Sequence, residues 1–335
     1  MHNLSELQKL LSVPKDIVIT THRNPDGDAI GSSLALSHYL RMHGHTTYMM
    51  APSEYPDFLE WMPGAGEFLI HDIEPEECDA KIARADMIFC LDFNALDRID
   101  KLGEAIAATD CPRVMIDHHL DPEEFCDFMM SDTSASSTCE MVFDFIEMFN
   151  DKALIDKKTA EAMFTGILTD TGSFKYATSP KLFRIAAELL EKGADDYLLQ
   201  DLIFNALSQK SLRLLGHCLA NRMEILPEYK TGIIWLTKED YEQFDIKRGE
   251  TEGIVNYLLK MKGIKVAAFI HEQPKITKIS LRSKGDFSVQ EIAGKYFKGG
   301  GHKNASGGAS FIGLKKTIRK FKNVLGQYEE ELKSL

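Results

Sequence analysis

Apolar residues alternate along the first half of the chain between short continuous runs and longer stretches of helical spacing. The continuous runs predict strands buried on both faces, at residues 17–21, 87–93 and 113–116. Helical spacing predicts helices at residues 30–42, 139–149 and 159–167, the last running on to Asp170. This alternation predicts an α/β fold with a mostly parallel sheet flanked by helices.

The second half continues the pattern after a helical stretch. Ser179 and Pro180 suit a helix start and Gly193 its end, and helical spacing persists at residues 198–207 and 211–223 until Pro227. A second alternation follows, with predicted strands at 233–236, 266–271 and 278–282, predicted helices at 254–261 and 289–296, a short strand near Phe311 and a final helix from Lys315. We therefore predict a larger domain at 1–190, a helical connector at 191–228 and a smaller α/β domain at 229–335.

Composition narrows the class of protein. The 335 residues are 44% apolar and 27% charged, which is typical of a globular chain with two domains. No run of eighteen apolar residues and no basic-then-apolar leader is present, so we expect a cytoplasmic protein without a membrane partner. Six scattered cysteines predict free thiols.

Charge is distributed unevenly. The net charge of −12 argues against a protein that coats long nucleic acid. Residues 1–259 carry a net charge of −22, whereas residues 260–322 carry 15 basic and 3 acidic residues, a net charge of +12. The basic region favours anion recognition near the C-terminus, although a solvated basic face would have the same composition.

Four apolar segments end in residues that bind metal ions, and we interpret all four as strand ends. Side chains beyond the carboxyl ends of parallel strands meet in one crevice. Gathered carboxylates repel one another, and divalent cations would supply the counter-charge. Oxygen and imidazole ligands without thiolate favour two Mn²⁺ ions, with Mg²⁺ or Co²⁺ as alternatives. The predicted metal ligands are His22, Asp26, Asp28, Asp92, His118 and Asp170.

A glycine-rich segment at residues 299–308 suggests a phosphate-binding loop. Glycines allow backbone N–H groups to turn toward a phosphate, and cationic side chains complete such a site. The guanidinium of Arg282 could hold a second phosphate. A mobile surface loop is the alternative. The predicted substrate-binding residues are Arg282, Gly300, Gly301, His302 and Lys303.

With these motifs the sequence resembles the DHH phosphoesterase superfamily over nearly its whole length. The segments that carry the resemblance are His22-x3-Asp26-Gly27-Asp28, Asp92 with Arg98, Asp117-His118-His119, Asp170, and the glycine-histidine segment 299–308. The last is similar to the motif of the DHH-associated C-terminal domain. Within the superfamily the chain is most similar to the NrnA type, bifunctional oligoribonucleases that also dephosphorylate 3′-phosphoadenosine 5′-phosphate (pAp).

The resemblance implies a role for each residue. One cation would be held by His22, Asp26 and Asp92, and the other by Asp28, Asp92, His118 and Asp170, with Asp92 shared. It implies that His119 contacts the scissile phosphate and acts as general acid, oriented by Asp117. It further implies that Arg282, His302 and Lys303 grip the far end of a substrate lying in a cleft between the domains. The implied reactions are hydrolysis of short oligoribonucleotides and linear dinucleotides to mononucleotides, and of pAp to AMP.

The motifs alone leave other activities open. A RecJ-like single-strand exonuclease or a family II inorganic pyrophosphatase shares the N-terminal motifs, and a polyphosphatase or a cyclic-dinucleotide phosphodiesterase is a further alternative. A regulator that binds nucleotides without turnover is the non-enzyme alternative. The sequence leaves cleavage polarity and a homodimer undecided.

Overall fold

The computed structural model describes residues 3–205, 208–247, 249–274 and 276–335. The chain forms two compact units, Met1–Ala206 (the N-terminal unit) and Leu207–Leu335 (the C-terminal unit). The division falls inside the segment 191–228, and the two predicted domain boundaries, after residues 190 and 228, stay a prediction. No helix in the described ranges combines the length and the apolar character that a membrane span requires.

The N-terminal unit contains a six-stranded sheet in the order β3-β2-β1-β4-β5-β6, with every neighbouring pair parallel. This confirms the predicted parallel α/β architecture. The strands are β1 (Asp16–Thr20), β2 (Thr46–Ala51), β3 (Leu69–Ile70), β4 (Met87–Leu91), β5 (Arg113–Asp117) and β6 (Phe128–Ser131). The helices are α1 (Leu4–Leu10), α2 (Gly27–Met42), α3 (Pro75–Ile82), α4 (Asp100–Ala107), α5 (Thr138–Met148), α6 (Lys157–Asp170), α7 (Pro180–Glu191) and α8 (Asp196–Phe204).

Continuous apolar runs form the central strands because helices cover both faces of this sheet. In β4, Phe89 and Leu91 pack into one apolar cluster, while Ile88 and Cys90 pack into another. Two glycines let α2 approach α6 closely. A side chain at Gly31 would lie 2.5 Å from the carbonyl oxygen of Ala162, and one at Gly166 would lie 2.6 Å from Oδ1 of Asp28. The start of α2 therefore lies beside the end of α6.

The C-terminal unit has a mixed sheet in the order β11-β12-β10-β9-β8-β7, in which only β8 and β9 are parallel. Apolar side chains cover both of its faces. Its strands are β7 (Met223–Leu226), β8 (Thr231–Leu236), β9 (Val266–Glu272), β10 (Thr277–Ser283), β11 (Gly300–His302) and β12 (Ala305–Ser310). Its helices are α9 (Gln209–Asn221), α10 (Lys238–Gln243), α11 (Ile254–Leu259), α12 (Val289–Phe297), α13 (Leu314–Leu325) and α14 (Glu329–Ser334).

Three predictions need correction. Asp170 ends helix α6, as the helical spacing of residues 159–167 predicts, so the fourth segment of metal ligands is a helix end and not a strand end. The segment 299–308 is not an open loop, since β11 and β12 pair as a hairpin. Met223 was predicted to be helical, but it begins β7. Residues 206 and 207, the last of the predicted helix 198–207, lie outside the described residues. All six cysteines are free thiols, as predicted.

Candidate active site

The acidic residues gather where the strand order of the N-terminal sheet reverses. The chain adds β2 and β3 on one side of β1, and then β4, β5 and β6 on the other. Loops that leave β1 and β4 at their carboxyl ends therefore diverge and open a crevice, which is the usual ligand site of such sheets. His22 follows β1, and Asp92 follows β4. Their side chains meet there, with His22 Nε2 at 3.3 Å from Asp92 Oδ2.

Asp92 lies at the centre of the cluster. Its Oδ1 is 3.5 Å from Nε2 of His118 and 3.7 Å from Nδ1 of His119. It also accepts a hydrogen bond of 2.9 Å from Oγ1 of Thr138. Its backbone has a φ of 64°, an uncommon conformation for a residue with a side chain and one that recurs at functional sites. The side chain is nearly inaccessible, so three imidazoles share one buried carboxylate.

The turn after β1 places its two aspartates differently. Asp26 caps α2, because its Oδ1 accepts hydrogen bonds from the backbone N–H groups of Asp28 and Ala29. The same oxygen lies 4.0 Å from Nε2 of His22. Asp28 is fully buried and faces the N-terminus of α5, where the N–H groups of Thr138 and Cys139 donate to it at 2.6 and 2.9 Å. The partial positive charge of a helix N-terminus favours such a carboxylate.

Hydrogen bonds orient the two histidines that follow β5. Nδ1 of His118 donates to the carbonyl of Ala135 at 3.3 Å, which directs Nε2 toward Asp92 and toward Asp170 Oδ2 at 3.3 Å. Nδ1 of His119 donates to Asp117 Oδ1 at 2.7 Å, and the other oxygen of Asp117 accepts the backbone N–H of His119. Asp117 is fully buried and thus holds the His119 ring in one tautomer and orientation.

The buried carboxylates and imidazoles of this crevice shift one another's pKa values. Burial and the nearby charge of Asp92 together raise the pKa of Asp28 to about 7. Burial and the charges of Asp28 and Asp26 likewise raise the pKa of Asp170. Burial opposes protonation of His118, but hydrogen bonding to Asp92 and the surrounding carboxylates outweigh it and bring its pKa to about 11. The carboxylates of this crevice therefore favour a positive charge beside them.

These residues fit divalent cations. Oxygen and nitrogen atoms of His22, Asp26 and Asp92 lie within 4.8 Å of one another, and so do those of Asp28, Asp92 and His118. The two groups share Asp92, and Asp170 adjoins the second through His118. Carboxylate and imidazole donors around a net negative charge are the ligand chemistry of Mn²⁺ and Mg²⁺. In a third group, Asp92, Asp117 and His119 have oxygen and nitrogen atoms within the same 4.8 Å of one another.

Thr138 is a residue of this site that sequence reasoning missed. It begins α5, which Ser137 caps by accepting the N–H of Glu140. Its hydroxyl contacts Asp92 and its backbone N–H contacts Asp28, so it links two predicted ligands. The Ser-Thr pair before an apolar helical stretch is a recognisable helix start. Its position beside the crevice depends on the tertiary fold, and no local pattern indicates it.

The predicted substrate-binding residues lie on one side of the C-terminal sheet. Arg282 is in β10, where its Cα pairs with Ala305 of β12, and its Nη1 donates to the carbonyl of Leu281 at 2.9 Å. His302 ends β11, and its carbonyl accepts the hydroxyl of Ser306. Lys303, at the hairpin turn, forms an exposed ion pair with Asp286 at 2.9 Å. Arg282 and His302 both pair with Ala305 of β12, so they lie on the two strands that flank β12, at the same level of the sheet.

Packing explains some of the glycines in the β11–β12 hairpin but not all of them. A side chain at Gly299 would lie 1.9 Å from the carbonyl oxygen of Gly307, and one at Gly308 would lie 2.7 Å from that of Phe297. Gly301 has a φ of +130° and a backbone oxygen 2.7 Å from its missing Cβ. Close packing therefore requires glycine at these three positions. A Cβ atom at Gly300 would have no neighbouring atom within 4 Å. Gly300 lies in β11, the edge strand of the sheet, and the outer edge of such a strand has backbone N–H and C=O groups without a partner strand.

Comparisons with known proteins agree with this arrangement. Residues 16–167 match the DHH family, N-terminal domain, and residues 232–329 match the DHHA1 domain. A bifunctional oligoribonuclease and PAP phosphatase NrnA from Thermus thermophilus is 32% identical over 99% of this chain and 94% of its own length. A cyclic-di-AMP phosphodiesterase PdeA from Listeria monocytogenes is 27% identical over 88% of this chain but only 45% of its own length.

A crystal structure of similar fold is that of an exopolyphosphatase-related protein from Bacteroides fragilis. It is 41% identical, with a TM-score of 0.95 over 98% of this chain and 97% of that one. The resemblance inferred from the motifs is thereby confirmed. The chain belongs to the DHH family, carries the DHHA1 domain, and is a hydrolase of the phosphoesterase class.

Proposed function

We propose that this chain hydrolyses short oligoribonucleotides to mononucleotides and removes the 3′-phosphate of pAp to leave AMP. The observation that carries the proposal is the convergence of carboxylates and imidazoles around Asp92, the shared member of two ligand groups. The similarity to NrnA extends over both units, which supports the substrate class.

The proposed ligands of one Mn²⁺ are His22, Asp26 and Asp92, and those of a second are Asp28, Asp92, His118 and Asp170. Such a pair of cations would stabilise negative charge on the phosphoryl group and activate water. The chain's own contribution is orientation. The carbonyls of Arg23 and Ala135 fix the rings of His22 and His118, because each accepts a hydrogen bond from the Nδ1 atom.

His119 is the proposed proton donor to the leaving oxygen. Asp117 accepts the Nδ1 proton, so the opposite nitrogen, Nε2, is the one that would hold and transfer a proton to substrate. The carboxylate of Asp117 also stabilises the ring when it is positively charged. In the C-terminal unit, Arg282, His302, Lys303 and the backbone of Gly300 and Gly301 are the proposed contacts to the distal phosphate or terminal nucleotide.

A substrate panel tests the proposal. Purified protein is incubated with pAp, RNA dinucleotides, long single-stranded RNA and DNA, cyclic di-AMP, polyphosphate and pyrophosphate, each with Mn²⁺, Mg²⁺ or chelator. We expect metal-dependent release of mononucleotides from dinucleotides and of phosphate from pAp. Asp92→Asn should abolish both activities, whereas Asp57→Asn, a change at an exposed aspartate of the same unit, should not.

Two results would contradict the proposal. Preference for long DNA, polyphosphate or pyrophosphate would assign the chain to another substrate class. Preference for cyclic di-AMP would favour the second candidate, which the similarity to PdeA supports, although this chain matches less than half of that protein.

A further inference from the structure

Tyr176 presents an aromatic ring to solvent shortly after a proposed metal ligand. Helix α6 ends at Asp170, and the chain turns back on itself at once, because the carbonyl of Thr171 accepts the N–H groups of Lys175 and Tyr176 at 2.8 and 3.0 Å. The Tyr176 side chain is 55% exposed. An aromatic surface therefore lies within one tight turn of Asp170.

The turn holds this ring in a defined position. The Tyr176 ring lies over Gly172, where a Cβ atom would come within 3.1 Å of two ring carbons. Gly172 has a φ of +55°, and the two following residues, Ser173 and Phe174, also have positive φ values. The hydroxyl of Ser173 donates to Gln200, and Phe174 packs edge-on against buried Phe164 at 5.9 Å. Backbone strain of this kind persists where surrounding contacts over-determine the conformation.

An aromatic ring that is held in place but stays exposed contributes little to the stability of the fold, and it is available to bind a ligand. Burial of an aromatic ring is a large part of its stabilising effect, and the fold forgoes about half of it at Tyr176. In the described part of the chain the Tyr176 hydroxyl makes no hydrogen bond to another residue. The hydroxyl therefore does not hold the ring in place, and the position of the ring depends on its packing over Gly172.

We propose that the ring of Tyr176 stacks on the nucleobase of the nucleotide whose phosphate is hydrolysed. The inference rests on the proposed function, and it explains how one phosphoesterase site would prefer nucleotides to phosphates that lack a base. Stacking of one base on one aromatic ring strengthens binding by roughly tenfold or more. Every base has a flat face, so this contact selects for a base without selecting its identity.

Binding of AMP and of ribose 5-phosphate separates this contact from phosphate recognition. Dissociation constants are measured by calorimetry on the full-length chain in Mn²⁺. We expect the wild type to bind AMP about tenfold more tightly than ribose 5-phosphate. Tyr176→Leu should lose that difference, and Tyr176→Phe should keep it. Tyr197→Leu, which removes a ring that is 84% exposed on α8, is the matched control and should bind both ligands like wild type.

Equal binding of the two ligands by the wild type, including failure to bind either, would overturn the proposal. So would an equal loss of both ligands in Tyr176→Leu, because that result indicates a structural role for the ring. Turnover of pAp is measured on the same samples. Base-dependent AMP binding without pAp hydrolysis would refute the proposed function and leave the stacking role intact.

Discussion

Asp28 in the N-terminal unit and Asp240 in the C-terminal unit are both shielded from solvent, with exposed fractions of 0% and 1%. Their pKa values nevertheless move in opposite directions. Burial and the charge of Asp92 raise the pKa of Asp28 to about 7. Burial also disfavours the charge on Asp240, but Arg222 and the Thr237 backbone outweigh it and lower the pKa to about 2.

The difference lies in the partners that each unit supplies. Asp240 accepts two hydrogen bonds from Arg222, one from the Thr237 backbone and one from the ring of His217. Asp28 has helix N–H donors but no lysine or arginine partner among the described residues, and other carboxylates surround it. A buried carboxylate with cationic partners stays ionised in the fold, whereas one surrounded by other carboxylates marks a candidate cation-binding site.

The largest expected effect comes from removing the shared carboxylate of the N-terminal unit. We predict that Asp92→Asn lowers kcat/KM for pAp by more than about 100-fold, since loss of a group that only orients a metal ligand already costs roughly 10- to 100-fold. Initial rates at saturating Mn²⁺ measure the change. Activity within about tenfold of wild type would contradict the central position of Asp92.

The corresponding change in the C-terminal unit should affect stability and leave the chemistry in place. We predict that Asp240→Asn lowers the free energy of unfolding of this unit by about 3 kcal/mol, because Arg222 and His217 lose their common partner. Urea unfolding in a Trp61→Phe background measures it, because Trp235 is then the sole tryptophan and belongs to this unit.

The control is Asp245→Asn, which breaks an exposed ion pair with Lys247 and should leave unfolding unchanged. A loss of catalytic rate at full stability in Asp240→Asn would contradict the contrast between the two units.

A second buried group, His271, should make the stability of the C-terminal unit depend on pH. Burial, assisted by the charge of Lys278, lowers the pKa of His271 from 6.5 to about 4. The folded state therefore favours neutral His271, so its contribution is complete above pH 6.5 and is lost as the pH falls toward 4. We predict a loss of about 1.5 kcal/mol between pH 6.5 and about pH 5, measured by urea unfolding of the Trp61→Phe protein.

His271→Phe removes the titrating group and keeps an aromatic ring between Tyr241 and Phe269. This variant should lose stability at pH 7 through its missing hydrogen bond to Tyr241, but its pH dependence in this window should be flat. An unchanged slope would assign the acid sensitivity to other groups.

Sequence reasoning succeeded where burial is continuous and failed where structure depends on distant contacts. The strands β1, β4 and β5 were predicted because both of their faces are apolar. Strands β2, β3 and β6 were missed, since they are short or contain polar residues such as Thr46 and Ser131. At Asp170 the helical spacing of residues 159–167 predicts a helix, whereas the analogy with the other three ligand segments predicts a strand end. The structure has the helix, because a short apolar run by itself does not distinguish strand from helix.

The glycine-rich segment shows the same limit. The composition of this segment predicts a phosphate-binding loop. In the hairpin, close packing is by itself a sufficient reason for glycine at positions 299, 301 and 308. No local pattern distinguishes a glycine needed by the backbone of its own fold from one needed by a ligand, because both require close approach of another atom. Only the three-dimensional surroundings separate the two cases.

Gly300 is the position at which the two explanations make opposite predictions. Packing gives no reason for glycine there, so Gly300→Ala should leave the free energy of unfolding within about 0.5 kcal/mol of wild type. If the edge backbone of β11 approaches a phosphate, the added methyl group should still raise KM for pAp, with kcat less affected. Gly299→Ala, whose Cβ would lie 1.9 Å from the carbonyl oxygen of Gly307, is the matched variant that should destabilise the C-terminal unit. An unchanged KM in Gly300→Ala would remove this glycine from the proposed substrate site and leave the backbone of Gly301 and the side chains of Arg282, His302 and Lys303 as the proposed anion contacts.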